Sequence, residues 1–196
     1  MGPGVIAWIA GLAAGAVHVL TGPDHLAAVA PLALERSTDR WAVGLRWGVG
    51  HAAGVGVVGA LALLLRGILP VDELSSWGER WVGVALIGLG LLGLMRAFKS
   101  RVAKPHAHAH TATAFGALHG LAGSSHLIGV LPALGLGDTI DVLIYLLGFG
   151  IGSVAAMTAF AAGVGAVATT PRTQRTLGAL ASSAAVVVGV VWLTAF

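Results

Sequence analysis

The sequence contains no cysteine. That excludes disulfides, iron–sulfur clusters and thiolate metal sites, and it leaves imidazole and carboxylate as the strong metal ligands. Charge is nearly as scarce. Only 10% of the 196 residues are charged and 57% are hydrophobic, where an ordinary soluble domain carries about 25% charged residues. A chain so poor in polar surface has lipid as its main solvent. No Gly-rich Gly-Lys-Ser stretch is present, so any work done by this sequence draws on an ion gradient, a membrane potential or a partner. The net charge of +3 does not point to nucleic acid, because the basic residues sit in short loops between apolar runs.

What is present in quantity is glycine, at thirty positions. Small residues let membrane helices approach closely where burial from water no longer drives association. After Met1-Gly2-Pro3-Gly4 the chain turns apolar without the basic region of a cleaved signal peptide, so this stretch is read as a first membrane helix. Gly2 lacks the following Ser or Thr that a myristoylation motif needs.

Crossing the hydrocarbon takes about 20 apolar residues. Apolar stretches lie near 4–34, 42–69, 80–98, 112–136, 139–168 and 175–196. They predict an all-α polytopic membrane protein with six transmembrane helices, the longest stretches absorbing their excess by tilt or interruption. Alternate loops hold nine Lys and Arg, including Arg36, Arg40, Arg96, Lys99 and Arg175, against Arg66 and Arg80 on the other side. The positive-inside rule then puts the basic loops in the cytoplasm, both termini outside, and the protein in a plasma (inner) membrane. Trp41, Trp47, Trp77 and Trp81 fall near span ends, where indoles anchor at the interface.

The first stretch repeats. Shifted by 101 positions, Gly15-Ala-Val-His18 to Asp24-His25-Leu26 lies over Gly116-Ala-Leu-His119 to Ser125-His126-Leu127, and Pro31 meets Pro132. Composition alone aligns glycines and alanines but not two histidines and a proline. The expectation is therefore a duplication: repeats 1–98 and 112–196 joined by a His-rich basic linker, 99–111. Three helices per unit make the second unit inverted, the arrangement in which transporters bind substrate at the midplane on broken helices.

The chemistry sits inside the repeat. His18 and His25 are seven residues apart, as are His119 and His126, so an unbroken helix would carry each pair on one face. Gly22-Pro23 interrupts the first motif, and Gly123-Ser124-Ser125 offers the same opening in the second. An ionised Asp24 in mid-membrane costs several kcal/mol unless paired or coordinated. Imidazole with carboxylate suits borderline divalent ions. His51, set among glycines, is either a further ligand or a hydrogen bond to a neighbouring helix. His106, His108 and His110 form either an accessory metal-capturing tract or a plain linker. Asp138 and Asp141 read as helix-capping or solvated.

Taken together, the stretch from His18 through Thr-Gly-Pro-Asp24-His25-Leu26 resembles the signature helix of the nickel/cobalt transporter (NicO/NiCoT) superfamily, nearest its UreH-like, urease-associated members. Trp47-Gly-Val-Gly-His51 resembles that family's second motif, and His119-Gly-Leu-Ala-Gly-Ser-Ser-His126 its second-half motif. The better-known importers have four residues between the first His and the Asp-His pair, and eight spans; this chain has five and a count of six. The resemblance implies metal permeation and no enzyme activity. Its expected cargo is Ni2+ or Co2+, with no permanently bound cofactor, at a site of His18, Asp24, His25, His51, His119 and His126. Expected partners are the ion, the bilayer, and a cytoplasmic metallochaperone or a second copy, with no nucleic acid. Import is downhill for a dication when the inside is negative, by roughly 4.6 kcal/mol per 100 mV. The competing readings are an exporter of the same family, a rhomboid-like intramembrane protease using Ser124 or Ser125 with a His, a haem carrier, and an anion exporter.

Overall fold

The computed structural model describes residues 2–35, 38–64, 71–99, 109–122, 132–133 and 135–195. Among these residues the protein is all-helical, with α1 (Pro3–Thr21), α2 (Pro23–Leu34), α3 (Arg40–Leu64), α4 (Val71–Lys99), α5 (Ala109–Leu121), α6 (Thr139–Val167) and α7 (Pro171–Ala195). Four stretches are long and apolar enough to cross a bilayer: Pro3–Thr21, Trp77–Phe98, Thr139–Val167 and Pro171–Ala195. Their outer faces carry exposed Ile6, Ile9, Leu143, Leu147, Ile151 and Val187. Contiguous apolar surface of that kind belongs against lipid.

The expected first stretch, 4–34, is two helices. α1 ends where Gly22 takes an extended conformation (φ −83°, ψ 104°), and Pro23 opens α2 at its first position. Proline lacks the N–H that would continue the ladder but suits a helix start. The helix expected over 80–98 begins earlier, at Val71, and α5 reaches back to Ala109 inside the expected linker. The breaks before Arg40 and around Thr169–Pro171 fall where the loop residues predicted them. Asp39 turns the chain into α3 with a positive φ of 54°, a conformation Asp tolerates better than most residues. Asp138 caps α6, its carboxylate accepting from the Ile140 N–H at 3.1 Å.

Helix directions follow from glycines that admit a neighbouring backbone. A Cβ on Gly11 would strike the Tyr145 carbonyl and one on Gly15 the Phe149 carbonyl, so α1 and α6 run parallel. Gly50 meets Thr113 and Gly54 meets Ala117 in the same way, so α3 and α5 also run parallel. By contrast, Gly44 faces Met157 while Gly48 faces Val154, and Gly83 faces Gly189 while Gly90 faces Ser182. Those orders make α3 antiparallel to α6, and α4 antiparallel to α7. The 101-residue shift carries the Gly15–Phe149 contact onto Gly116–Trp47 when the partner helix is shifted by 102.

One end of the bundle is clamped by polar contacts. Arg96 donates to both carboxylate oxygens of Glu35 at 2.6 and 2.7 Å. Gln174 Nε2 donates to the Leu34 carbonyl, Arg175 Nε to that of Ala97, and Arg40 to those of Gly165 and Ala168. This end carries the basic residues that the charge bias singled out.

Candidate metal centre

Breaking the first stretch at Gly22 does more than turn the chain. A side chain there would collide with His25 Nδ1 and Asp24 Oδ1. Glycine is therefore what lets the Asp24–His25 pair fold back over the end of α1. Asp24 occupies the first turn of α2, where unsatisfied N–H groups and the helix dipole favour a negative charge.

His25 Nδ1 lies 3.1 Å from Asp24 Oδ1, and His119 Nε2, from α5, lies 2.8 Å from Oδ2 of the same carboxylate. An ionised carboxylate only accepts, so His25 Nδ1 donates to it, while His119 Nε2 stands at ion-pair distance from its other oxygen. A carboxylate held against imidazoles in this way orients the rings for a metal. His18 of α1 and His51 of α3 close the group. The ring centroids of His18 and His25 are 4.6 Å apart, those of His25 and His51 5.0 Å, and those of His18 and His51 5.8 Å.

Two ligand sets result, and His25 belongs to both. His18, His25 and His51 each offer a ring nitrogen with all three within 4.8 Å of one another; Asp24, His25 and His119 do the same. Nitrogens bound to one ion in tetrahedral geometry sit roughly 3.4 Å apart, from bond lengths near 2.1 Å, so small side-chain rotations bring either set onto a cation. Asp24, His25, His51 and His119 are buried, while His18 is half-buried and forms the rim. One carboxylate and four imidazoles thus gather beside the apolar core cluster that contains Trp47, Val19, Val29 and Val43, a setting of low polarity where charge attraction is strong.

Of the six residues picked from the sequence, His18, Asp24, His25, His51 and His119 come together. His126 lies outside the described residues, as do Ser124, Ser125, His106 and His108. His110 is exposed at the start of α5. One expectation is corrected. Trp41, Trp77 and Trp81 are exposed as interfacial anchors should be, with Arg80 set over the Trp77 ring, but Trp47 is fully buried. It stacks on His51 at 5.3 Å and lies 5.2 Å from His119. Its Gly-x-Gly-His neighbourhood was the available signal, since helix position four residues before His51 shares the same face.

Two further polar groups escaped the sequence reading. Glu79, next to Arg80 in sequence, is buried on α4. Ser153 occupies on α6 the place that His51 occupies on α3, and its hydroxyl bonds the Phe149 carbonyl at 2.8 Å and the Gly15 carbonyl at 3.3 Å.

The chain is 38% identical over 183 residues to Chloroplast protein FOR GROWTH AND FERTILITY 1 of Arabidopsis thaliana, covering 81% of this chain and 49% of that protein. It is equally 38% identical over 177 residues to FOR GROWTH AND FERTILITY 2 of the same plant, covering 81% and 46%. Urease accessory protein UreH of Bacillus sp. (strain TB-90) is 26% identical over 178 residues, covering 79% of this chain and 74% of that protein. No family model and no solved structure matches. The chain thus spans about half the length of the chloroplast proteins it resembles, and it is related more distantly, over most of its length, to a urease accessory protein.

Proposed function

We propose that this protein is a transmembrane permease for a divalent transition metal ion, nickel or cobalt first, and not an enzyme. The metal is its cargo, with no resident cofactor. The observation that carries this reading is the convergence of His18, Asp24, His25, His51 and His119, from four helices, on one buried point. Structural hydrogen bonding between helices needs one or two polar groups; five at a single depth answer the needs of a dehydrating cation. Because His25 belongs to both ligand sets, an ion passes from one to the other by exchanging partners around a fixed imidazole. The likeness to UreH supports metal handling.

The architecture in this reading is six spans in two inverted three-helix units, 1–98 and 112–196, with 99–111 between them. Support comes from the recurring contacts: α1 parallel to α6, α5 parallel to α3, and both pairs in matching register. The basic end at Arg40, Arg96 and Arg175 faces the compartment from which the chain is inserted, and the direction is import down the potential. With two relatives named as chloroplast proteins, the reading is for a bilayer and not for one named membrane.

Sealed proteoliposomes loaded with the full chain test it. Saturable nickel uptake, blocked by cobalt and weakly by manganese or magnesium, is the expected result. Absence of uptake under either polarity of membrane potential, with folded protein, would overturn it.

A further inference from the structure

The Trp47 side chain is fully buried among three imidazoles, yet its indole N–H meets no hydrogen-bond acceptor among the described residues. Buried donors of this kind are rare and call for a partner. The neighbouring rings do not provide one. His51 lies nearly parallel to the indole, at 15°, so the two present faces to each other while the N–H lies in the indole plane. His25 meets it at 66° with centroids 5.7 Å apart.

The same indole lines a small cavity whose only other polar wall is His119; Val82, Leu86 and Phe115 are among the rest. The space left for the centre of a water molecule is about 10 Å³. That is the room one water needs, and a buried water also needs two or more polar partners. The Trp47 N–H supplies one of them.

We propose that the metal cargo is bound with one water molecule still attached, and that Trp47 donates its indole N–H to that water's oxygen. An N–H group has no lone pair and repels a bare cation, so Trp47 acts on the cargo only through an oxygen the ion brings with it. The metal is the water's other partner, and Trp47 is a positioning residue for a partly hydrated ion. This rests on the metal-permease reading and adds to it the state in which the ion is held.

Two measurements on the purified full chain in detergent test it. Cobalt-loaded wild type, examined by electron paramagnetic resonance in water enriched in the magnetic oxygen isotope, should show line broadening from a metal-bound water. Trp47→Phe keeps an aromatic ring against His51 but has no N–H. It should lose that broadening and bind nickel roughly three- to tenfold more weakly by calorimetry, the range of one hydrogen bond. Wild type that binds cobalt without broadening would overturn the proposal and leave the permease reading standing, and this result needs no variant to fold. Unchanged broadening and affinity in folded Trp47→Phe would overturn it equally. Wild type that binds neither metal would overturn both.

Discussion

The pair formed by α3 and α5 and the pair formed by α1 and α6 are packed alike and equipped differently. In each, glycines of one helix admit the carbonyls of a parallel partner: Gly116 takes Trp47 and Gly120 takes His51 in one, Gly15 takes Phe149 in the other. Yet α3 carries Trp47 and His51 where α6 carries Phe149 and Ser153. His51 is a ligand candidate within reach of His18 and His25, while the Ser153 hydroxyl is used on backbone carbonyls. The same backbone fit brings the helices together in both pairs. Of the two matching positions on α3 and α6, only the one on α3 carries a ligand candidate. In a membrane, where close small-residue contacts hold helices together, packing and ligand chemistry are carried by different residues and vary separately.

The largest effects should come from the residues that break this asymmetry outright. Asp24→Asn or His25→Ala should reduce metal uptake at least a hundredfold with the helix content unchanged by circular dichroism, because His25 belongs to both ligand sets and Asp24 is the carboxylate among the candidate ligands. Next comes the direct contrast between equivalent positions. His51→Ala should lower nickel affinity about tenfold or more by calorimetry. Ser153→Ala should leave affinity within about twofold and cost on the order of 1 kcal/mol of stability, the value of a hydrogen bond. Equal losses in the two variants would mean that the halves are not specialised in this way.

Acidification should produce a smaller, graded loss. Only neutral imidazole ligates a metal, so protons compete with the ion for the site. Uptake should therefore fall as the pH is lowered, and uptake that stays undiminished until the protein unfolds would argue against histidine ligation. Packing offers a similar test: Gly15→Ala and Gly116→Ala each place a methyl against a partner carbonyl. Both should lower stability by similar amounts, on the order of 1–3 kcal/mol each, read from a denaturant titration. The smallest effect should come from the clamp at the basic end. Arg96 is one-third exposed, so Arg96→Gln should change stability by no more than about 1 kcal/mol in a denaturant titration.

Much of this was legible in the sequence. The scarcity of charge pointed to apolar helices long enough for a bilayer, Gly22-Pro23 marked the break between α1 and α2, and of the repeated histidines His18, His25 and His119 come together. His51 stood as a ligand or a helix-to-helix bond, and the cluster now includes it. Other features depended on contacts that no local pattern encodes. Trp47 near a helix end resembled an interfacial anchor, because its distance from the end was readable and the side it faced was not. That side is fixed by α5, about seventy residues away in the chain. Glu79 was passed over since a carboxylate next to an arginine ordinarily marks solvent, yet it is buried on α4. The pairing of α1 with α6 spans more than 130 residues, and only the geometry of Gly11 and Gly15 against Tyr145 and Phe149 reveals it.

Whether one buried His/Asp centre carries the ion is tested most directly by radioactive nickel uptake into proteoliposomes containing wild type or Asp24→Asn, reconstituted side by side under an inside-negative potential. Wild type should show saturable uptake that cobalt blocks, and the variant none above protein-free vesicles. Uptake by the Asp24→Asn protein at the wild-type rate would contradict that role for the centre.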